Sequence, residues 1–187
     1  MLVVQIDLHK KSTLFGIALI VCAVCMLVGA LGVHYFVAQK EKPVPGFLKI
    51  LGADDGTVFV DLEGNPVTLA TYADAPIVLF AWASWCPSCG EQLALIAKSA
   101  SEGSAPPILA INRGETLDLA RDYLSFVGKY EQLIYWVDTK DIFFKTVEGY
   151  AMPELVVYDA KGEEVFRHRG TLTEVDVRAA FASVAPR

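Results

Sequence analysis

Cys86-Pro87-Ser88-Cys89 places two thiols three residues apart, directly after the apolar run Ile77-Val-Leu-Phe-Ala-Trp-Ala-Ser-Trp85. A strand-like run that ends in two cysteines predicts their delivery to the first turn of a helix. The positive end of the helix macrodipole and its unpaired N–H groups favour negative charge there. A thiolate is such a charge, and it is the reactive form of cysteine. Cys86 is expected at the exposed end, with Cys89 one turn in and the sulfurs close enough to bond. Such a pair carries two electrons, as a dithiol or as a disulfide.

Elements on both sides must hold this pair. Val58–Leu62 and Val67–Leu69, around Glu63-Gly-Asn-Pro66, read as a β-hairpin. Ile77–Trp82 reads as a central buried strand. Glu91–Ser101 repeats apolar residues at helical spacing, Ile108–Ile111 is a second buried strand, and Leu117–Val127 is a second helix. Leu133–Val137 is a short strand, and Asp141 is expected to cap a short helix reaching about Val147. Leu155–Tyr158 and Glu164–Arg167 form a hairpin around Asp159-Ala-Lys-Gly162. Thr173-Glu-Val-Asp176 opens a terminal helix with a capping-box pattern. The order predicts an α/β fold, with parallel strands in the middle, an antiparallel edge and helices on both faces.

The 187-residue chain is divided in charge and hydropathy. Leu14 to Val33 holds only apolar residues and glycine, with Tyr35–Ala38 beyond His34. About 20 apolar residues can cross a bilayer as a helix. The run exceeds the ~7–15 residue core of a cleaved signal. The sequence therefore predicts a short cytoplasmic tail (1–13), a transmembrane signal anchor (14–38), a linker (39–50) and one domain (51–187). A short tail before a large domain places that domain outside the cytoplasm, on a single-pass anchor in the cell membrane. Lys10 and Lys11 face Lys40 and Lys42 across the run, so the positive-inside rule discriminates little. Residues 1–50 carry five lysines against two acids, and residues 51–187 carry eleven basic against twenty acidic residues. So acidic a domain is unsuited to binding nucleic acid through its phosphates. Cys22 and Cys25 lie in the apolar run and read as small fillers. A four-cysteine zinc site would need one pair in lipid and the other outside it, so no metal site is expected.

Trp82-Ala-Ser-Trp85-Cys86-Pro-Ser-Cys89 resembles the active-site motif of thioredoxin-fold oxidoreductases. Met152-Pro153, just before the strand Leu155–Tyr158, is similar to that family's cis-proline. Gly64-Asn-Pro-Val-Thr-Leu69 and Tyr158-Asp-Ala-Lys-Gly162 narrow the resemblance to the membrane-anchored, extracytoplasmic TlpA/ResA group. Pro153-Glu154 and Arg167-His-Arg-Gly170 are similar to its CcmG reductases of cytochrome c biogenesis. The resemblance covers about residues 43–182. It implies a thioredoxin-like mixed sheet and a protein disulfide reductase with no bound cofactor. Cys86 would attack and Cys89 would resolve, while Trp85, Met152 and Pro153 would meet the substrate. Implied partners are proteins with disulfides, apocytochrome c among them, and a membrane thiol donor of electrons. Alternatives are a thiol peroxidase on the same fold and a non-enzymatic copper-delivery or assembly factor.

Two positions depart from the family pattern. Phe80 stands where a buried Asp or Asn is frequent, and Gln92 where the TlpA group carries Glu. A carboxylate there would accept a proton during resolution. Glu91 and Glu154 are the candidates to replace it, each against a plain reading as a solvent-exposed acid. On a helix, the one-residue shift from 92 to 91 turns a side chain by about 100°. Trp82 is expected in the core, Trp85 at the rim of the site and His168 at the surface.

Overall fold

Alternate side chains of a strand point to opposite faces of its sheet. An uninterrupted apolar strand therefore needs cover on both sides. β3 (Ile77–Trp82) meets this condition: all six residues are buried, with Val78, Phe80 and Trp82 in one core cluster and Ile77, Leu79 and Ala81 in another. The computed structural model describes residues 59–72 and 74–185, together with helical positions at 21, 24–26 and 29. Chain contacts divide into two units, Met1–Pro43 and Val44–Arg187. The expected tail, the linker and most of the run 14–38 lie outside the described residues. Among the described residues, no helix is long and apolar enough to cross a membrane.

The second unit contains β1 (Phe59–Asp61), β2 (Pro66–Val67), a 3₁₀ turn at Leu69–Tyr72, then β3 and α1 (Cys89–Ser101). β4 (Ile108–Arg113), α2 (Leu117–Val127), β5 (Ile134–Asp138) and α3 (Ile142–Thr146) follow. β6 (Glu154–Tyr158), β7 (Glu164–Arg169) and α4 (Glu174–Ala182) complete it. The sheet order is β2-β1-β5-β4-β3-β6-β7. β3, β4 and β5 run parallel, joined by the crossover helices α1 and α2. β6 is antiparallel to β3, and β7 to β6. The expected mixed sheet is thus present, with unequal cover. α1, α2 and α4 contribute to one cluster, while the short α3 and the 3₁₀ turn contribute to the other.

Two of the helix starts, at α2 and α4, are capped by a threonine side chain. Thr173 and Asp176 form the expected capping box on α4. Asp141 does not cap α3: its backbone is left-handed, with φ 54°, and its side chain makes no cap bond. Asp138 takes that role, accepting the Phe143 N–H at 2.6 Å. Asp141 is instead engaged by Arg113, whose Nε and Nη2 donate to its two oxygens at 2.9 and 2.7 Å. A bidentate guanidinium is a stronger partner for a carboxylate than one backbone N–H.

The β6–β7 hairpin carries a buried carboxylate held by arginines. Glu154 is 1% exposed. It accepts hydrogen bonds from Arg167 Nη1, from Arg169 Nε at 3.1 Å and from the Tyr150 N–H at 3.3 Å. Arg167 also donates to both oxygens of Glu164 and to Val147 O. Hydrogen bonding from Arg167 holds the Glu164 carboxyl below the usual carboxylate range. A lowered folded pKa contributes stability above the unfolded value of about 4.3, and that stability is lost as pH falls through the folded value. In urea unfolding followed from pH 5 to 3, Glu164→Gln is therefore expected to lose less stability than the parent. Equal losses would show that this pair contributes nothing to acid sensitivity.

Candidate active site

The parallel strands β3 and β4 end at the same edge of the sheet, so the turns after them share one surface. The turn after β3 carries the cysteines. Ala83 O accepts the Cys86 N–H at 3.2 Å, and Cys86 O accepts the Cys89 N–H at 3.2 Å. Helix α1 begins at Cys89 with Ser88 as its N-cap. The helix thus starts one turn later than the motif predicts, and Cys86 lies just ahead of it. Pro87 lies in that preceding turn. Cys86 and Cys89 form a disulfide, with Cα atoms 5.4 Å apart. Cys86 is only 2% exposed and Cys89 fully buried, so the expected exposed end is nearly covered in this oxidised form.

Register places the cis bond beside this turn. Ala81 pairs with Glu154 across β3 and β6. The Met152–Pro153 peptide is cis and lies immediately before that pair, alongside the residues that lead into Cys86. Pro153 is buried and Met152 half-buried. Trp85, directly before Cys86, is 58% exposed, whereas Trp82 is fully buried. The burial of Trp82 matches its expected place in the core.

Four carboxyl or amide side chains bear on the site. Glu91 is exposed and borders a groove of about 470 Å³ that opens on Cys86. Glu154 is buried between Arg167 and Arg169, which overturns its plain reading as a solvent-exposed acid. Gln92 is 7% exposed; its Oε1 accepts the Leu172 N–H at 2.7 Å and its Nε2 donates to Leu172 O at 3.4 Å. A carboxylate could accept that first bond but could not donate the second. This accounts for an amide at 92, where it ties α1 to the segment before α4.

Glu115, in the turn after β4, is the residue that sequence reasoning missed. It is 8% exposed and accepts from the Ser84 N–H, the Ser84 hydroxyl and the Asn112 side chain. A signal for it exists in the sequence: in a parallel sheet the C-terminal ends of neighbouring strands converge. Asn112-Arg-Gly-Glu115 stands at such an end, next to the one that carries Cys86.

Tyr123 of α2 closes the other side. Its ring stacks on Trp82 with centroids 5.5 Å apart. A Cβ at Gly90 would meet its hydroxyl and Val127 Cγ1, each at 3.1 Å. Glycine after Cys89 thus lets α2 approach the first turn of α1. Burial pushes the Tyr123 hydroxyl above its ordinary pKa, and Glu115 adds to that. His168 is bound through Nε2 to Thr171 O at 3.0 Å. Cys25 is free and exposed, and Cys22 lies outside the described residues. Among the described residues no cluster of His, Cys, Asp and Glu could hold a metal ion.

Comparison with known proteins gives matches over this same region. A family model described as Redoxin matches residues 39–183. The thiol:disulfide interchange protein DsbE of Haemophilus influenzae is 29% identical over 99 residues, 53% of this chain and 53% of that protein. DsbE of Pasteurella multocida is 28% identical over 138 residues, 66% of this chain and 75% of that protein. The chain thus spans about half the length of the first of these relatives and three quarters of the second. Among solved structures, a secreted Mycobacterium tuberculosis disulfide oxidoreductase homologous to E. coli DsbE superposes with a TM-score of 0.60 at 18% identity. That match covers 73% of this chain and 98% of that one. The exposed lipoprotein thioredoxin Etrx1 of Streptococcus pneumoniae gives 0.58 at 21% identity, covering 68% and 98%. These likenesses establish a thioredoxin-like fold.

Proposed function

Because this chain belongs to the Redoxin family, we propose that it is a thiol–disulfide oxidoreductase that reduces protein disulfides through Cys86 and Cys89. The observation that carries this reading is the Cys86–Cys89 disulfide at the start of α1, beside the cis Met152–Pro153 peptide. The DsbE relatives, named as thiol:disulfide interchange proteins, support it.

In the reduced form the Cys86 thiolate attacks one sulfur of a client disulfide. A Cys86–client mixed disulfide forms, and the other client sulfur leaves as a thiolate. Cys89, deprotonated, then attacks Cys86 Sγ. The client's second sulfur leaves and takes up a proton, and the Cys86–Cys89 disulfide closes. Two electrons have passed to the client. Trp85 and the Met152–Pro153 backbone are the proposed contacts for the client chain. Glu91, in the groove, is the proposed carrier of a proton to solvent. Glu154, the other candidate, is held by two arginines, so its part is proposed to be support of Pro153.

The apolar run 14–38 supports an anchor that holds the domain on the outer face of the cell membrane. There a membrane thiol donor would return the electrons. Apocytochrome c is a proposed client, in keeping with the resemblance to CcmG. Equilibrating the full chain with glutathione buffers and following the Cys86–Cys89 couple tests the direction of transfer. A potential of about −270 to −200 mV is expected, the range of thioredoxin and glutaredoxins. A value near −120 mV, that of a strong oxidant, would overturn the reductase reading.

A further inference from the structure

Glu115 is a nearly buried carboxylate whose bound donors are all neutral. Its Oε1 accepts the Ser84 O–H at 2.5 Å. Its Oε2 accepts the Ser84 N–H at 2.9 Å and Asn112 Nδ2 at 2.5 Å. The neighbouring cation, Arg113, is committed to Asp141 in a bidentate pair. Neutral donors fix a carboxylate in place and leave its net charge intact. That charge is tied to the turn that carries Cys86: Ser84 is two residues ahead of it, and both line the same groove. A nearby negative charge disfavours a second one, so a thiol beside it loses its proton less readily.

We propose that Glu115 is a positioning residue for the Cys86–Cys89 couple: it pins the Ser84 turn, and its charge opposes formation of the Cys86 thiolate. The proposal rests on the redox reading above and deepens it. The start of α1 stabilises a thiolate, which favours the reduced form and makes a couple more oxidising. Glu115 counters this and keeps the couple reducing. With Gln92 neutral, it supplies a charge that neither Phe80 nor Gln92 brings. Other titratable groups also face the turn. Glu91 of α1, and Tyr123 and Tyr130 from α2 and the loop after it, line the groove. Arg113 of β4 approaches the Trp85 ring at 5.9 Å, and Glu154 of β6 is held by Arg167 and Arg169.

The test is alkylation of Cys86 by iodoacetamide in the reduced full chain, followed against pH by mass spectrometry of the peptide that contains it. Glu115→Gln and Ser84→Ala both remove bonds from the turn, but only the first removes the charge. Glu115→Gln is expected to move the labelling profile to lower pH, with about tenfold faster labelling near pH 6. Ser84→Ala leaves the anion with one donor fewer and is expected to move the profile to higher pH. A Glu115→Gln profile superimposed on the parent's, or a shift to lower pH in both variants, overturns the proposal. If Glu115→Gln does not fold, Ser84→Ala decides alone: an upward shift sustains the proposal, and an unchanged or lowered profile overturns it. Labelling needs no client, so failure of the parent chain to reduce any disulfide would sink the redox reading separately.

Discussion

Replacing Cys86 by Ala is expected to lower disulfide reduction by a factor on the order of a thousand or more, since loss of a nucleophile removes the covalent step itself. Cys89→Ala should behave differently. It leaves the attacking sulfur in place and removes the one that resolves the intermediate. A client would then remain joined to Cys86 through a disulfide. The proposed order is in keeping with Cys86 lying ahead of the helix and bordering the groove, whereas Cys89 is the first helical residue and is fully buried. Insulin reduction by the three proteins, with non-reducing electrophoresis for the trapped species, measures both effects. If Cys89→Ala accumulates no adduct while Cys86→Ala does, the two roles are reversed.

The second large effect is expected at Glu154. Removing one partner of a buried ion pair costs about 3–5 kcal/mol, because the remaining charge is left without compensation. Glu154→Ala would strand Arg167, whose side chain is 14% exposed, although Glu164 still holds one side of that guanidinium. Arg169 keeps its place over the Tyr150 ring, 4.4 Å from the centroid. The lower end of the range, about 3 kcal/mol in urea unfolding, is therefore expected. Replacing Glu154 and Arg167 together by apolar residues of similar volume should recover most of that loss. A single Glu154→Ala variant as stable as the parent would show that the pair is not a brace. Glu154 directly follows Pro153, so the same variant should also reduce turnover, a change that a brace remote from the site would not cause.

Much of this architecture is legible in residue order. Ile77–Trp82 and Leu117–Val127 were readable to the residue, because a strand covered on both faces has no polar interruption and a helix repeats its apolar positions at fixed spacing. The capping box at Thr173 and Asp176 is equally local. The cis state of Pro153 was implied by resemblance alone. Asp141 shows where local reading stops. Its spacing ahead of α3 suits a cap, but Arg113, 28 residues earlier, engages its carboxylate.

The sequence by itself determined the redox pair, the strand and helices that present it, and the order from which a thioredoxin-like sheet follows. These depend on periodicity and on near neighbours along the chain. Tertiary structure alone decided which carboxylates are buried near the site and what holds them. Glu154 is buried because β6 pairs with β7 and brings two arginines to it across the hairpin. Glu115 reaches Ser84, 31 residues away, because β3 and β4 run parallel and end side by side. Hydrogen bonds and charge act through space over a few ångströms, so their partners are set by the sheet's order and not by distance along the chain.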